Sequence, residues 1–170
     1  MNSMKNWTAN NGEFLLEISA NAMISLDKEC SRNENLETGG ILIGYYSVDH
    51  SVATITEITT PPSDSSFGYN WFLRGITGLQ AILLNRWQHV NTRTYYIGEW
   101  HYHPAFHVIP SEEDVKQMEK ISRTQSYHCK QPILMIAGKK QYLQRQIRVF
   151  VFPRGDCYHE YSETFRETSV

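Results

Sequence analysis

His101-Tyr102-His103, followed eleven residues later by Asp114, is a set of side chains that could hold a divalent metal. Two imidazoles and one carboxylate leave the fourth tetrahedral position of zinc open to water, as metal-assisted hydrolysis requires. Residues 94–103 are aromatic and β-rich and read as a strand. Successive side chains of a strand point to opposite faces, so His101 and His103 share one face and Tyr102 packs on the other. Pro104 cannot donate to a ladder, so the strand ends there, with His103 at its tip. Residues 104–110 read as a loop and residues 111–123 as a helix. Ser111 and Asp114 then share a helical face, and the helix start can deliver the third ligand beside the strand end. Two alternatives stay open on these residues alone. Ser111-x-x-Asp114 also has the form of a helix cap. Glu99 alternates onto the histidine face and competes as a ligand or as a carboxylate supporting one.

The remaining elements must position that strand and helix. Apolar residues between 13 and 30 recur at roughly helical spacing and predict a first helix, preceded by a polar, flexible leader over residues 1–12. Gly39-Gly40 opens a β-branched and aromatic run to Tyr46, whose continuous apolarity predicts a strand buried on both faces. An alternating segment over 52–60 should pair with it. Residues 61–66 read as a loop, and residues 69–73 as a short strand. Leu79, Ile82, Leu83, Trp87 and Val90 predict a second helix within 75–90. Residues 132–137 and 142–152 predict a closing hairpin turned at Gly138-Lys139-Lys140, with one more short strand near Tyr158 and a polar tail over 161–170. The order is mixed, so the expected fold class is an α/β sandwich of a single domain over 13–160, built on a central mixed sheet with flanking helices.

Composition narrows the function. The chain has 170 residues, a formal charge of −2, 41% hydrophobic and 20% charged residues, which describes an ordinary globular protein. No basic surplus favours nucleic acid or an anionic membrane. The cluster Lys139, Lys140, Arg145 and Arg148 reads as the solvated side of a hairpin. Three scattered cysteines with no CxxC pair disfavour a disulfide framework and a thiolate metal cluster. With no apolar secretory signal in the first twelve residues and no long apolar run, a reducing, cytoplasmic setting is expected. No GxSxG, GxGxxG or GxxxxGK[ST] occurs, and Cys129 cannot use its neighbour His128 in triad geometry. His107 lies near the site but reads as a solvent-facing loop residue. Trp71 and Phe72, after a polar loop, are candidates for gripping an extended peptide.

The pattern His101-x-His103-Pro104, six residues, Ser111-x-x-Asp114, together with Glu37-Thr38-Gly39-Gly40, resembles the JAMM motif of the JAB/MPN metalloproteases. The resemblance extends from about Glu13 to Phe152 and implies that family's cytidine deaminase-like fold. It implies one Zn2+ per chain on His101, His103 and Asp114, Glu37 as general acid/base, and Ser111 as a donor to the oxyanion. All five positions are present, which sets the chain apart from the family's catalytically dead scaffold members. Tyr102 departs from the Ser or Thr often found between the histidines, and affects packing more than ligation. Residues 96–101 further resemble the short bacterial JAB peptidases of CBASS anti-phage operons. That likeness implies an isopeptidase acting on a protein with an extended C-terminal tail. It would reverse E1/E2-like conjugation of a cGAS-like nucleotidyltransferase. A protease of another bacterial ubiquitin-like operon, a non-catalytic MPN module and a hydrolase of non-protein amides are the alternatives.

Overall fold

A computed structural model describes residues 4–164. Its elements run β1 (Lys5–Ala9), β2 (Phe14–Ile18), α1 (Ala20–Arg32), β3 (Thr38–Tyr46), β4 (Val52–Ile58), β5 (Ser66–Phe67), β6 (Phe72–Leu73), α2 (Leu79–Gln88), β7 (Tyr95–Tyr102), α3 (Glu112–Arg123), β8 (Ile133–Gln141), β9 (Gln144–Val151), β10 (His159–Glu160) and β11 (Ser162–Thr164). Nine strands form one mixed sheet in the order β10-β9-β8-β7-β3-β4-β2-β1-β11, while β5 and β6 pair separately. The pairs β2–β4 and β7–β8 are parallel and the other ladders antiparallel. β10 and β11 are consecutive in the chain yet lie at opposite ends of that order. The sheet therefore curls on itself, and Tyr161, buried between them, lies at the seam.

Each face of the sheet has its own core. One gathers Leu16, Ile18, Ile55, Trp100, Tyr102 and Met135 around Leu26 and Cys30 of α1. The other gathers Ile41, Ile43, Leu134 and Ile136 against Leu79 of α2 and Met118 and Ile121 of α3. This is the expected α/β layering around a central mixed sheet, with β3 buried along most of its length as its composition predicted. Fully burying one large aliphatic side chain is worth about 1.5–3 kcal/mol, so two such cores hold the central strands firmly.

Several elements differ from the sequence expectation. The first helix begins at Ala20, not Glu13. Phe14, Leu16 and Ile18 are buried while Leu15 is exposed, the period of two that defines a strand. Ser19 separates the two elements by accepting the Ala22 N–H as an N-cap. The supposed leader contains β1, whose backbone pairs with β2 and β11 and which buries Trp7 and Ala9. Its polar alternate residues face outward and hid the pattern. The segment assigned to a polar tail from residue 161 likewise contains β11, which pairs with β1; the rest of that tail after residue 164 lies outside the described residues. The closing hairpin turns at Tyr142-Leu143 instead of Gly138, because β8 continues through Lys140 and Tyr142 takes the left-handed conformation. Gly138 is needed for a close approach: a Cβ there would sit 2.7 Å from the Ala105 carbonyl.

The basic cluster is not simply solvated. Arg145 and Lys140 pair with Asp27 of α1, and Arg148 pairs with Glu160. The segment read partly as loop and partly as strand is the small hairpin β5–β6. No helix among the described residues is long and apolar enough to cross a membrane.

Candidate metal centre

β3 and β7 form the frame of the site. Their register pairs Thr38 with Tyr102 and Gly39 with His101. Glu37 immediately precedes Thr38, and its carboxyl lies close enough to Asp114 and His101 to feel both charges. Tyr102 does point away, into the α1 core, where its hydroxyl donates to the Glu34 carbonyl. Gly39 allows the close fit. A Cβ at that position would lie 2.4 Å from the Trp100 carbonyl oxygen and 3.0 Å from the His101 ring.

The loop after Pro104 is tied down over β8 and β9. Lys139 N–H donates to the Ala105 carbonyl, Gln146 accepts the Val108 N–H, and Arg148 donates to the Val108 carbonyl. This brings Ser111 to the N-cap of α3. Ser111 Oγ accepts the Asp114 N–H at 3.1 Å and Asp114 Oδ2 accepts the Ser111 N–H at 2.7 Å, a complete capping box. Capping and ligation therefore are not rivals. The same carboxylate that closes the cap also faces both histidines.

Asp114 Oδ1 lies 2.8 Å from His101 Nδ1, and Asp114 Oδ2 lies 3.5 Å from His103 Nε2. All three residues offer a donor atom within 4.8 Å of the others. Metal–ligand bonds of about 2.0 Å at tetrahedral angles place donors roughly 3.3 Å apart. The three-residue set thus suits a small divalent ion in both donor chemistry and spacing.

The electrostatics agree. Burial opposes ionisation of Asp114, but hydrogen bonds and charge from His101 and bonds from Ser111 outweigh it, holding the carboxyl well below its usual range. Burial, aided by His101 and opposed by Asp114, pulls His103 below the usual histidine value, favouring the neutral ring that binds metals. Glu37 behaves in the opposite way to Asp114. Burial, then repulsion from Asp114, pushes it up to about 7, only partly offset by His101. A carboxyl poised near neutrality can both accept and return a proton.

This shift has a stability consequence. A carboxyl whose folded pKa lies above its usual 4.5 contributes stability below that value and loses it as pH rises through about 7. In the metal-free protein, Glu37→Gln should therefore gain stability over the native chain between about pH 4 and pH 8. Discounted for solvent screening at a half-exposed side chain, the gain is about 1 kcal/mol. Denaturant unfolding at the two pH values checks it; an equal difference at both would contradict the assignment.

Glu99 is not a ligand candidate. It is fully buried and held by Arg74 Nε at 2.7 Å and Arg74 Nη2 at 3.0 Å, with Tyr96 donating to it at 3.0 Å. Arg74 carries no local signal in the sequence, because it reaches Glu99 from a separate segment of the chain. Trp71 and Phe72 divide. Trp71 is exposed, whereas the Phe72 ring meets the His101 ring edge-on at 5.8 Å. His107 is exposed, as expected.

The family model for prokaryotic homologs of the JAB domain matches residues 20–149. A CD-NTase/cGAS isopeptidase of Enterobacter hormaechei is 40% identical over 144 residues, covering 85% of this chain and 78% of its own length. One from Pseudomonas aeruginosa is 31% identical over 124 residues, covering 72% and 77%. A probable metalloprotease of Sinorhizobium fredii is 28% identical over 123 residues, covering 72% and 74%. Among solved structures, a Desulfitobacterium hafniense protein determined in solution shares the fold, with a TM-score of 0.57 at 13% identity over 86% of this chain and 88% of its own. Histidines at the end of β7 and one residue past it, an aspartate in the capping box of α3 and a glutamate just before β3 thus sit within a matched stretch that spans most of the chain, and the chain belongs to the prokaryotic JAB-domain family.

Proposed function

We propose that the protein is a zinc-dependent isopeptidase that hydrolyses an amide bond at the C-terminus of a conjugated protein. The feature that carries this reading is the half-buried carboxyl of Glu37, within electrostatic reach of Asp114 and His101 and pushed up to about 7, beside the cluster of three candidate ligands. A metal site that only stabilised the fold would need no such carboxyl.

His101, His103 and Asp114 would hold the ion. When bound, zinc supplies Lewis acidity, making water a stronger nucleophile near neutral pH and polarising a carbonyl. Glu37 takes the proton from the attacking water and later delivers it to the leaving amine nitrogen. Ser111 Oγ already accepts the Asp114 N–H, so its own O–H is free to donate to the oxygen that gains charge. The capping box fixes that hydroxyl before substrate arrives. Exposed Trp71, one residue before the Phe72 that meets the His101 ring, offers an aromatic surface to an extended peptide.

The substrate is a protein joined through its C-terminal tail. The two relatives called CD-NTase/cGAS isopeptidase support a cGAS-like nucleotidyltransferase in that role, deconjugated in CBASS antiviral defence. E1/E2-like conjugating enzymes would then be functional partners, and the cytoplasm the site of action. Three free cysteines accord with a reducing compartment.

The test is a bacterial cGAS-like nucleotidyltransferase carrying a reporter protein on its C-terminus. Cleavage at the junction, lost with a chelator and restored by zinc, is expected. Cleavage that ignores the chelator, or intact fusion under all conditions, would overturn the assignment.

A further inference from the structure

The segment between β4 and α2 touches the candidate centre at two points. Glu37 N–H donates to the Gly68 carbonyl at 2.8 Å, and Phe72 packs edge-on against His101. The hairpin β5–β6 thus contacts the backbone of the proposed acid/base and the ring of a proposed ligand. Two short strands with exposed residues on both cannot hold that position alone, since an isolated hairpin is marginally stable in water.

What anchors it lies one residue beyond β6. Arg74 forms a two-bond pair with Glu99, two residues before His101 on the same face of β7. Both side chains are withdrawn from solvent, the carboxylate completely. A bulge in β7, where the register shifts between Gly98 and Tyr96, brings Tyr96 onto the Glu99 face. That is why its hydroxyl can add a third bond to the same carboxylate. On the segment's own side, Arg74 also donates to the Gly75 carbonyl, Ser65 accepts the Gly75 N–H, and Asp64 accepts the N–H groups of Ile76 and Thr77. The segment is braced internally, and the buried Arg74–Glu99 pair is its charged link to the sheet.

We propose that Arg74 is a positioning residue. Its pair with Glu99 docks the segment of residues 61–78 so that Gly68 fixes the Glu37 backbone and Phe72 fixes the His101 ring. This rests on the roles proposed above for Glu37 and His101. Planar, two-bond pairing sets orientation as well as distance, which a lysine's point charge does not.

The test combines amide hydrogen exchange with kinetics on the full chain, using Arg74→Met, Arg74→Lys and Glu99→Gln. Glu57→Gln, which removes the more exposed Arg86 pair on α2, is the control. Arg74→Met should speed exchange at the Glu37 amide by about tenfold or more while β8 and β9 amides keep their protection. Glu99→Gln, the gentler change, should move the same amide in the same direction. With the nucleotidyltransferase fusion, kcat should fall by about a hundredfold with KM nearly unchanged, since misplacement of about 1 Å carries that cost. Zinc titration should still reach one ion per chain, and Arg74→Lys should recover only part of kcat. Unchanged Glu37 exchange in Arg74→Met, or protection lost equally across the sheet, would overturn the proposal. The exchange measurement needs neither metal nor substrate, so it stands even if the proposed reaction fails.

Discussion

Glu37→Gln is expected to lower cleavage by about a thousandfold while the protein keeps its full complement of zinc. Glutamine preserves the shape of the side chain and removes only its capacity to carry a proton. Glu37 contributes no atom to the cluster of three candidate ligands, so metal content should not move. A glutamate at the end of a loop is ordinarily a solvated charge, and removing one changes activity little. Here the side chain is half-buried, and Asp114 repels its ionised form. Both features cost stability and are unexplained unless the group is used. Turnover of the fusion, measured beside metal analysis of the same sample, separates the outcomes. Full activity in Glu37→Gln would remove it from its role.

Asp114→Asn is the second large effect. Asparagine can still accept the Ser111 N–H, so α3 keeps its cap and the helix its start. It cannot supply the charge that faces both histidine rings. If Asp114 served only as a cap, the variant would be nearly silent. As a ligand, its loss should weaken zinc binding by more than the 10- to 100-fold typical of outer-shell changes, and cleavage should disappear with the metal. His103→Ala should behave alike, from the strand side. Competition with a chelator of known affinity reads the binding, and thermal unfolding confirms that the fold survives. An Asp114→Asn protein that binds zinc as the native chain does would exclude the ligand set.

The central strands and the grouping of the candidate site were legible in the sequence because their signals are local. β3 is a continuous apolar run behind Gly39-Gly40. The spacing of His101, His103, Ser111 and Asp114 depends on one strand, one loop and one helix start. The edges of the sheet were not legible. β1 alternates polar residues with Trp7 and Ala9, and β11 is exposed along its three residues, so neither carries a strong period. Both exist because distant backbones complete their ladders. Phe14–Ile18 is a strand where the sequence predicts helix, because five residues hold too little pattern to separate a period of two from 3.6. Glu99 shows the same limit from another direction. Alternation placed it on the ligand face, but its partner Arg74 arrives from a loop 25 residues earlier in the chain. Only the packed structure reveals that the carboxylate is already taken.

The proposed reaction needs a metal that works with Glu37, and a titration of zinc into the metal-free native protein tests that requirement most directly. Cleavage of the nucleotidyltransferase fusion should be absent at the start, rise in proportion to added zinc and level off at one equivalent per chain. Cleavage at full rate without metal, or a protein that binds one zinc and leaves the fusion intact, would contradict it.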